Sequence, residues 1–510
     1  MIPNSKAADL LAGLDLGSTV AESDKLLETA RVETSVFDDL LADRVDLILG
    51  TKGSGKTALY RIFVDFLTEM MLKSKKVIIA HGVQDRQDSV FLAYKKEFDE
   101  LSEADFVDFW CIYIASLAYE QFVRDERFKL LLTNCSDEIT GFRRAYGNAE
   151  IPDFSRRQTV KEVLAWSLRV LNRLKPKVTW KPPADVGQFE LSLGLAAPPR
   201  RRTLMRDDDP RMPAYIDEIA LSLERLLVKS DLYLWLMVDR LDELFARRSE
   251  TETRALRGLL RTISLFRLDR IRVKVFLRDD ILDQIVAGRG FTALTHAAAR
   301  RSHTLGWSEE DILKMIVRRI FVNAKIARHC GVNTRLLTSS IEYQKQHFYK
   351  VFVDTVHSGP NQSSTLRWIY NHTKDGRGVV TPRDVISLLS RAIQFQRDQF
   401  QRDQRGTTER LITGSAILYG HDEMSKEKRT TYLHAEFPHK WEIIGKLVRG
   451  GTEYNDAAMN RLFGKQRDAA VDDLISMGVL ERAAKDGKPR YRVPFLYRRG
   501  LECTQRFMAT

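Results

Sequence analysis

Short, mostly apolar runs at residues 45–49 (Val-Asp-Leu-Ile-Leu), 77–80, 232–238 (Leu-Tyr-Leu-Trp-Leu-Met-Val) and 271–277 (Ile-Arg-Val-Lys-Val-Phe-Leu) interrupt a chain whose other hydrophobic positions recur at helical spacing. Runs of this length without strict alternation predict strands buried on both faces, as in a parallel sheet. A shorter fifth strand is expected at 302–305. Leu59, Phe63, Phe66 and Leu67 place a helix over 57–69, directly after the first strand. Residues 89–131 are amphipathic, and their Phe106, Phe109, Trp110 and Tyr113 are core positions rather than a stacking platform. Ser308 and Asp311 form a capping-box pattern ahead of Ile312, Ile316 and Ile320. Strands alternating with helices define an α/β class.

The pattern changes toward the end of the chain. Helices are expected at 441–448, 456–463 and 465–477. Two strand-like segments, 478–482 and 489–493, then flank Lys485-Asp486-Gly487-Lys488, whose residues tolerate the positive φ of a tight turn. Residues 175–211 carry Pro176, Pro182, Pro183, Pro198 and Pro199, the run Arg200-Arg201-Arg202 and the run Asp207-Asp208-Asp209, which reads as an exposed excursion.

A length of 510 residues exceeds one core, since domains usually hold roughly 100–200 residues. The expected division is an N-terminal extension (1–30), a sheet-based core (31–307) with a helix-rich insertion at about 90–230, a helical lid and linker (308–430) and a C-terminal module (431–510). An apolar fraction of 44% with 29% charged residues fits a folded chain rather than a disordered one. No apolar stretch reaches the ~18 residues of a membrane span, and the first residues lack a secretory pattern, so a cytoplasmic location is expected. Cys111, Cys135, Cys330 and Cys503 are far apart, without the CxxC spacing of a zinc ribbon. The formal net charge of +12 allows a polyanion partner, although many of these cations would simply solvate helix surfaces.

The densest chemistry follows the first strand, in Gly50-Thr51-Lys52-Gly53-Ser54-Gly55-Lys56-Thr57. The glycines let successive backbone N–H groups turn inward around a phosphate, and the following helix points its N-terminus at the anion. Lys56 is placed to neutralise the β- and γ-phosphates, and the Thr57 hydroxyl to ligate Mg²⁺. The pattern predicts a P-loop that binds ATP with Mg²⁺. Asp239, at the end of the third apolar run, is the expected second metal ligand. Glu243 and, second, Asp242 are candidates to activate water. No HExxH or other metal-ligand spacing occurs among the ten histidines.

The P-loop, the Leu-Met-Val-Asp239-Arg-Leu-Asp242-Glu243 run, the strand ending in Arg278-Asp279-Asp280, and Leu305-Gly306-Trp307-Ser308-Glu309-Glu310 together resemble bacterial ATPases of the AAA+ and STAND type. The Asp-x-Leu-Asp-Glu form is similar to that of NACHT- and KAP-like NTPases, although Arg240 stands where they carry a small residue or Asp. The resemblance implies further roles. Arg278 would sense the γ-phosphate, Arg300 or Arg301 would act as an arginine finger on a neighbouring subunit, and Arg383, behind the cap Thr381 and Pro382, would be the lid arginine. The C-terminal order resembles a winged helix, with a basic wing of Lys485, Lys488, Arg490 and Arg492. Two functions are implied: an ATP-driven switch controlling homo-oligomer assembly or a separate effector protein, in a setting of antiphage defence, or a DNA-binding ATPase of origin-recognition or transposition-regulator type. Asp468, Asp472 and Asp473 on the third helix oppose DNA, which leaves Lys465, Gln466 and Arg467 for base contact.

Overall fold

A computed structural model of the chain describes residues 1–67, 77–81, 95–124, 133–149, 151, 211–240, 249–265, 268–286, 301–485 and 488–508. It divides into two compact units, the first made of Met1–Asp38, Gly50–Ile62 and Leu305–Thr510, the second of Asp39–Leu49 and Phe63–Thr304. The sequence suggested consecutive domains, whereas these units interleave.

The second unit is built on five strands: β1 (Leu47–Gly50), β2 (Val77–His81), β3 (Tyr233–Val238), β4 (Ile271–Arg278) and β5 (Ser302–Thr304). They form one parallel sheet in the order β2-β3-β4-β1-β5. The apolar runs form strands because both of their faces are covered, with Leu47, Ile48, Leu234, Trp235, Leu236, Met237 and Val275 all buried. Helices Glu103–Tyr119, Ser136–Asn148 and Arg211–Ser230 lie between β2 and β3 in the chain, so the insertion is helical in its described parts. The aromatics Phe106, Phe109, Trp110 and Tyr113 are core, as expected, and the Trp110 indole donates to the Ala255 carbonyl at 2.7 Å. Gly258 on the Glu250–Leu265 helix permits the close approach, since a Cβ there would stand 2.7 Å from the Phe106 Cβ. The excursion at 175–210 lies outside the described residues.

An ion network closes the edge of this sheet where the parallel strands begin. Asp46 precedes β1 and is 3% exposed, and Lys274 in mid-β4 is fully buried. The Lys274 ammonium donates to Asp46 Oδ1 at 2.8 Å, Asp43 Oδ1 at 2.5 Å and the Val45 carbonyl at 2.7 Å. Arg301, just before β5, donates to Asp46 Oδ2 at 2.5 Å and to the Asp43 carbonyl at 2.6 Å. Burial works against the Asp46 charge, but Lys274 and Arg301 outweigh it and hold its pKa below the ordinary value. Burial likewise draws the Lys274 pKa down against the pull of Asp46 and Asp43. With two carboxylates in contact with the ammonium, the charged network is the state the geometry favours.

The first unit is mainly helical. Helix Asn4–Ala12 packs on helix Pro382–Arg402, and Ile2–Pro3 pairs with Thr407–Thr408, so the first residues are integral to this unit. Ser308 and Asp311 make the expected capping box on helix Glu309–Phe321. Four further strands, β6 (Gly451–Asn455), β7 (Glu481–Lys485), β8 (Lys488–Arg492) and β9 (Thr504–Met508), form a sheet ordered β9-β6-β8-β7 beside helices Trp441–Gly445, Asp456–Phe463 and Arg467–Ser476. The three expected helices are present, the first ending at Gly445. So is the hairpin, although its first strand begins at Glu481 rather than 478 and its strands take in Lys485 and Lys488. β6 and β9 are additional. The four cysteines are free. Among the described residues no helix is long and apolar enough to cross a membrane.

Candidate nucleotide site

β1 runs into the glycine-rich loop and ends at Gly50, and helix Lys56–Arg61 follows it, continued by a wider helical turn over Ile62–Phe66. Gly53 and Gly55 adopt φ of +87° and +99°, a region that residues with a Cβ resist, so the two glycines are required by the loop's own path. At Gly50, a Cβ would meet the Ser54 hydroxyl at 2.5 Å.

Polar groups of the loop are turned inward. The Lys56 ammonium donates to the Gly50 and Thr51 carbonyls at 2.7 and 2.9 Å. The Ser54 and Thr51 hydroxyls are buried and have no hydrogen-bond partner among the described residues. Buried hydroxyls without partners are costly, and they mark a site where a ligand or water can accept or donate. The Thr57 side chain is half-buried at the start of the helix. This chemistry fits a phosphate chain held by backbone N–H groups, Lys56 and hydroxyls.

Residues far away in sequence frame the same loop. The Trp307 indole donates to the Ser54 carbonyl at 2.7 Å, and the Tyr370 hydroxyl donates to the Trp307 carbonyl at 3.2 Å. Arg383, second in helix Pro382–Arg402 behind the Thr381 cap, lies over Gly53, where a Cβ would stand 3.2 Å from the Arg383 Cβ and 3.3 Å from its Cδ. Its Nε donates to the Thr19 carbonyl at 3.4 Å, and Arg61 donates to the Ala21 carbonyl at 2.7 Å. Lys52 was expected in the loop, but not its pairing with Glu436. The segment 19–21 was not singled out from the sequence, and Trp307 was read only within the run 305–310. Only the geometry of the folded unit brings them to the loop.

Asp239 follows β3, is 8% exposed, and lies at the same edge of the parallel sheet as the end of β1. Arg240 takes φ of +58°, so a bulky residue occupies a conformation that suits Gly, Asn or Asp, where the resembled families carry a small residue or Asp. Arg278 ends β4 at that edge too, and its guanidinium grips Asp280 with two bonds, at 2.9 and 2.8 Å. Asp242, Glu243 and Arg300 lie outside the described residues. Arg301, expected as a projecting finger, is engaged within the chain by Asp43 and Asp46, at the opposite end of the strands from Asp239 and Arg278. Among the described residues no cluster of three or more His, Cys, Asp or Glu side chains is arranged to hold a metal.

No family model and no curated protein matches the sequence. Among solved structures the chain is similar to the Aeropyrum pernix ORC2 protein in its ADPNP-ADP complexes, at 13% identity and a TM-score of 0.44, over 94% of this chain and 96% of that one.

Proposed function

We propose that the protein is a P-loop ATPase of AAA+ architecture that binds ATP with Mg²⁺ at the loop 50–57 and hydrolyses it. The observation that carries this reading is the loop itself. Its two left-handed glycines, its inward Lys56 and its buried, unpartnered Thr51 and Ser54 hydroxyls form a cradle of the right chemistry, with Arg383 lying over it. Mg²⁺, when bound, neutralises charge building on the phosphates. Thr57 and Asp239 are its proposed ligands, and Glu243, or failing it Asp242, is the proposed base for the attacking water. Arg278 and Arg383 are proposed to contact the phosphates, for which Arg278 must exchange its Asp280 partner. Calorimetric titration with ATP·Mg²⁺ tests the assignment: wild type binds, Lys56→Ala does not, and equal binding by both removes the loop from the site.

For the output of this ATPase we propose DNA binding by the C-terminal module, the action of an origin-recognition or transposition-regulator type protein. The order of three helices and a hairpin supports a winged helix, with Lys465 and Gln466 exposed at the start of its third helix and Lys488 exposed on the wing. Charge reversal of Lys485, Lys488, Arg490 and Arg492 is the test, because each lost phosphate contact lowers the slope of log K against log salt by roughly 0.9. Equal slopes would exclude the wing.

A second reading, a homo-oligomeric switch acting on an effector protein as in STAND ATPases of antiphage defence, is favoured by a different observation. Asp468 and Asp472 on that third helix are 83% and 72% exposed, while Arg467 is already engaged by Asp456, Asp468 and the Tyr491 hydroxyl. ATP-dependent assembly without DNA affinity would select this reading.

A further inference from the structure

The side chain at the third position of the loop is not needed for cradling a phosphate, which is work for the backbone. In this chain that position is Lys52, and its ammonium pairs with Glu436, which follows it by 384 residues. The Glu436 side chain is only 3% exposed, against 31% for Lys52. A carboxylate so enclosed cannot exchange its cation for water at little cost, so it fixes where the lysine points.

Glu436 occupies a strategic place in the chain. It lies just past helix Gly414–Lys428 and its wider continuation Arg429–His434, and just before the turn Pro438–Lys440 that leads into helix Trp441–Gly445. This junction is braced on both sides. His434 stacks on Trp441 with ring centroids 3.5 Å apart, and Tyr432 meets Phe437 edge-on at 5.6 Å. Beyond it, Lys440 Nζ donates to Asp473 Oδ2 at 2.5 Å, reaching the third helix of the C-terminal module.

A second tie runs parallel to the first. Arg383 lies over Gly53, the neighbour of Lys52, and the next residue, Asp384, accepts from Lys428 Nζ at 2.8 and 2.7 Å. Lys428 is the last residue of the helix that leads into the same 429–436 segment. The loop and the lid arginine are thus both anchored to the approach of the C-terminal module, one through Lys52–Glu436 and the other through Asp384–Lys428.

We propose that Glu436 is a positioning residue that couples the nucleotide loop to the C-terminal module, with the triphosphate competing against it for the Lys52 ammonium. The proposal rests on the ATP-binding reading above. A triphosphate adds negative charge beside the loop that a diphosphate lacks, so ATP draws Lys52 from Glu436 more strongly than ADP does. The released junction then loosens.

The test pairs nucleotide affinity with hydrogen exchange at residues 434–441, for wild type, Glu436→Gln, Lys52→Met and the swap Lys52→Glu with Glu436→Lys. In wild type, ATP·Mg²⁺ should raise exchange at the junction severalfold more than ADP·Mg²⁺ does. Glu436→Gln frees Lys52 for the phosphates and should raise the ATP-to-ADP affinity ratio about tenfold, the worth of one charge-assisted hydrogen bond. Lys52→Met should bind nucleotide through Lys56, without the gain in ratio and without the junction response. The swap should recover the junction contact. A purely structural Glu436 would shift affinity for both nucleotides alike and leave the ratio unmoved, which overturns the proposal. Should Glu436→Gln fail to fold, a junction response that persists in Lys52→Met overturns it equally. Wild type that binds nucleotide with no junction response sinks the coupling alone, whereas wild type that binds none sinks the ATP reading along with it.

Discussion

Replacing Arg301 with alanine separates a structural arginine from a catalytic one. The guanidinium, 19% exposed, holds Asp46, whose side chain is 4% exposed, and contacts Asp43 at 3.1 Å. Removing one member of a buried ion pair costs about 3–5 kcal/mol. Because Lys274 stays 2.8 Å from Asp46, the lower end applies, so about 3 kcal/mol is expected. The second unit holds about 250 residues, and a body of that size shifts its melting temperature by roughly 2–4 °C per kcal/mol, giving a fall of about 6–12 °C. The pH dependence has a definite sign. Because the folded Asp46 pKa lies below its ordinary value of 3.8, the carboxylate's contribution is complete above that value and is lost as pH falls through the lower folded one. The gap between wild type and variant should therefore be full at neutral pH and shrink in strong acid. Thermal melts across pH, with ATPase activity normalised to folded protein, provide the measurement. An unchanged melting temperature together with lost turnover would refute the structural assignment and restore Arg301 as a finger acting on a neighbour.

Three further outcomes are expected. Gly53→Ala must place a Cβ at φ of +87° against Arg383, a strain of about 1–2 kcal/mol that should weaken ATP binding roughly tenfold in a calorimetric titration. Glu243→Gln should keep ATP bound while slowing hydrolysis by about 10²–10⁴ in a single-turnover assay, and the same effect from Asp242→Asn alone would reverse the two roles. His372 lies against Trp368 with ring centroids 3.6 Å apart, and burial, assisted by His421, lowers its pKa to about 3. Its neutral form stabilises the fold above the ordinary value of 6.5, so wild-type stability should decline as pH drops from there toward 3, by up to about 1.4 kcal/mol per pH unit. His372→Phe should flatten that slope in denaturant titrations, and an unchanged slope would remove His372 as its source.

Four of the five core strands were legible because burial on both faces leaves a mostly apolar record, whereas β5 reads Ser-His-Thr and is exposed or half-buried. The glycine-rich loop was legible because its backbone path restricts residue type. What stayed hidden depends on partners remote in sequence. Asp46 and Lys274 looked like lone interruptions of apolar strands, and only the folded sheet shows that they satisfy each other 2.8 Å apart. β6 reads Gly-Thr-Glu-Tyr-Asn, and only Tyr454 gives a strong apolar signal, being 1% exposed. Arg278 was placed at the correct strand end, but its grip on Asp280, two residues on, has no signature beyond the pair itself. Glu436 sits in an unremarkable Ala-Glu-Phe stretch, and nothing local announces that a loop lysine will find it.

The interleaving of the two units has a consequence for synthesis on the ribosome. The loop that would hold the phosphates is translated early, yet Trp307, Arg383 and Glu436, which frame it, come hundreds of residues later. At about 5–20 residues per second, the interval between Lys52 and Glu436 lasts roughly 20–80 s. During that time the second unit has all of its residues available and can fold, while the loop waits without its frame. On the ATP-binding reading proposed above, the order of translation keeps the nascent loop without its full frame until the C-terminal junction exists.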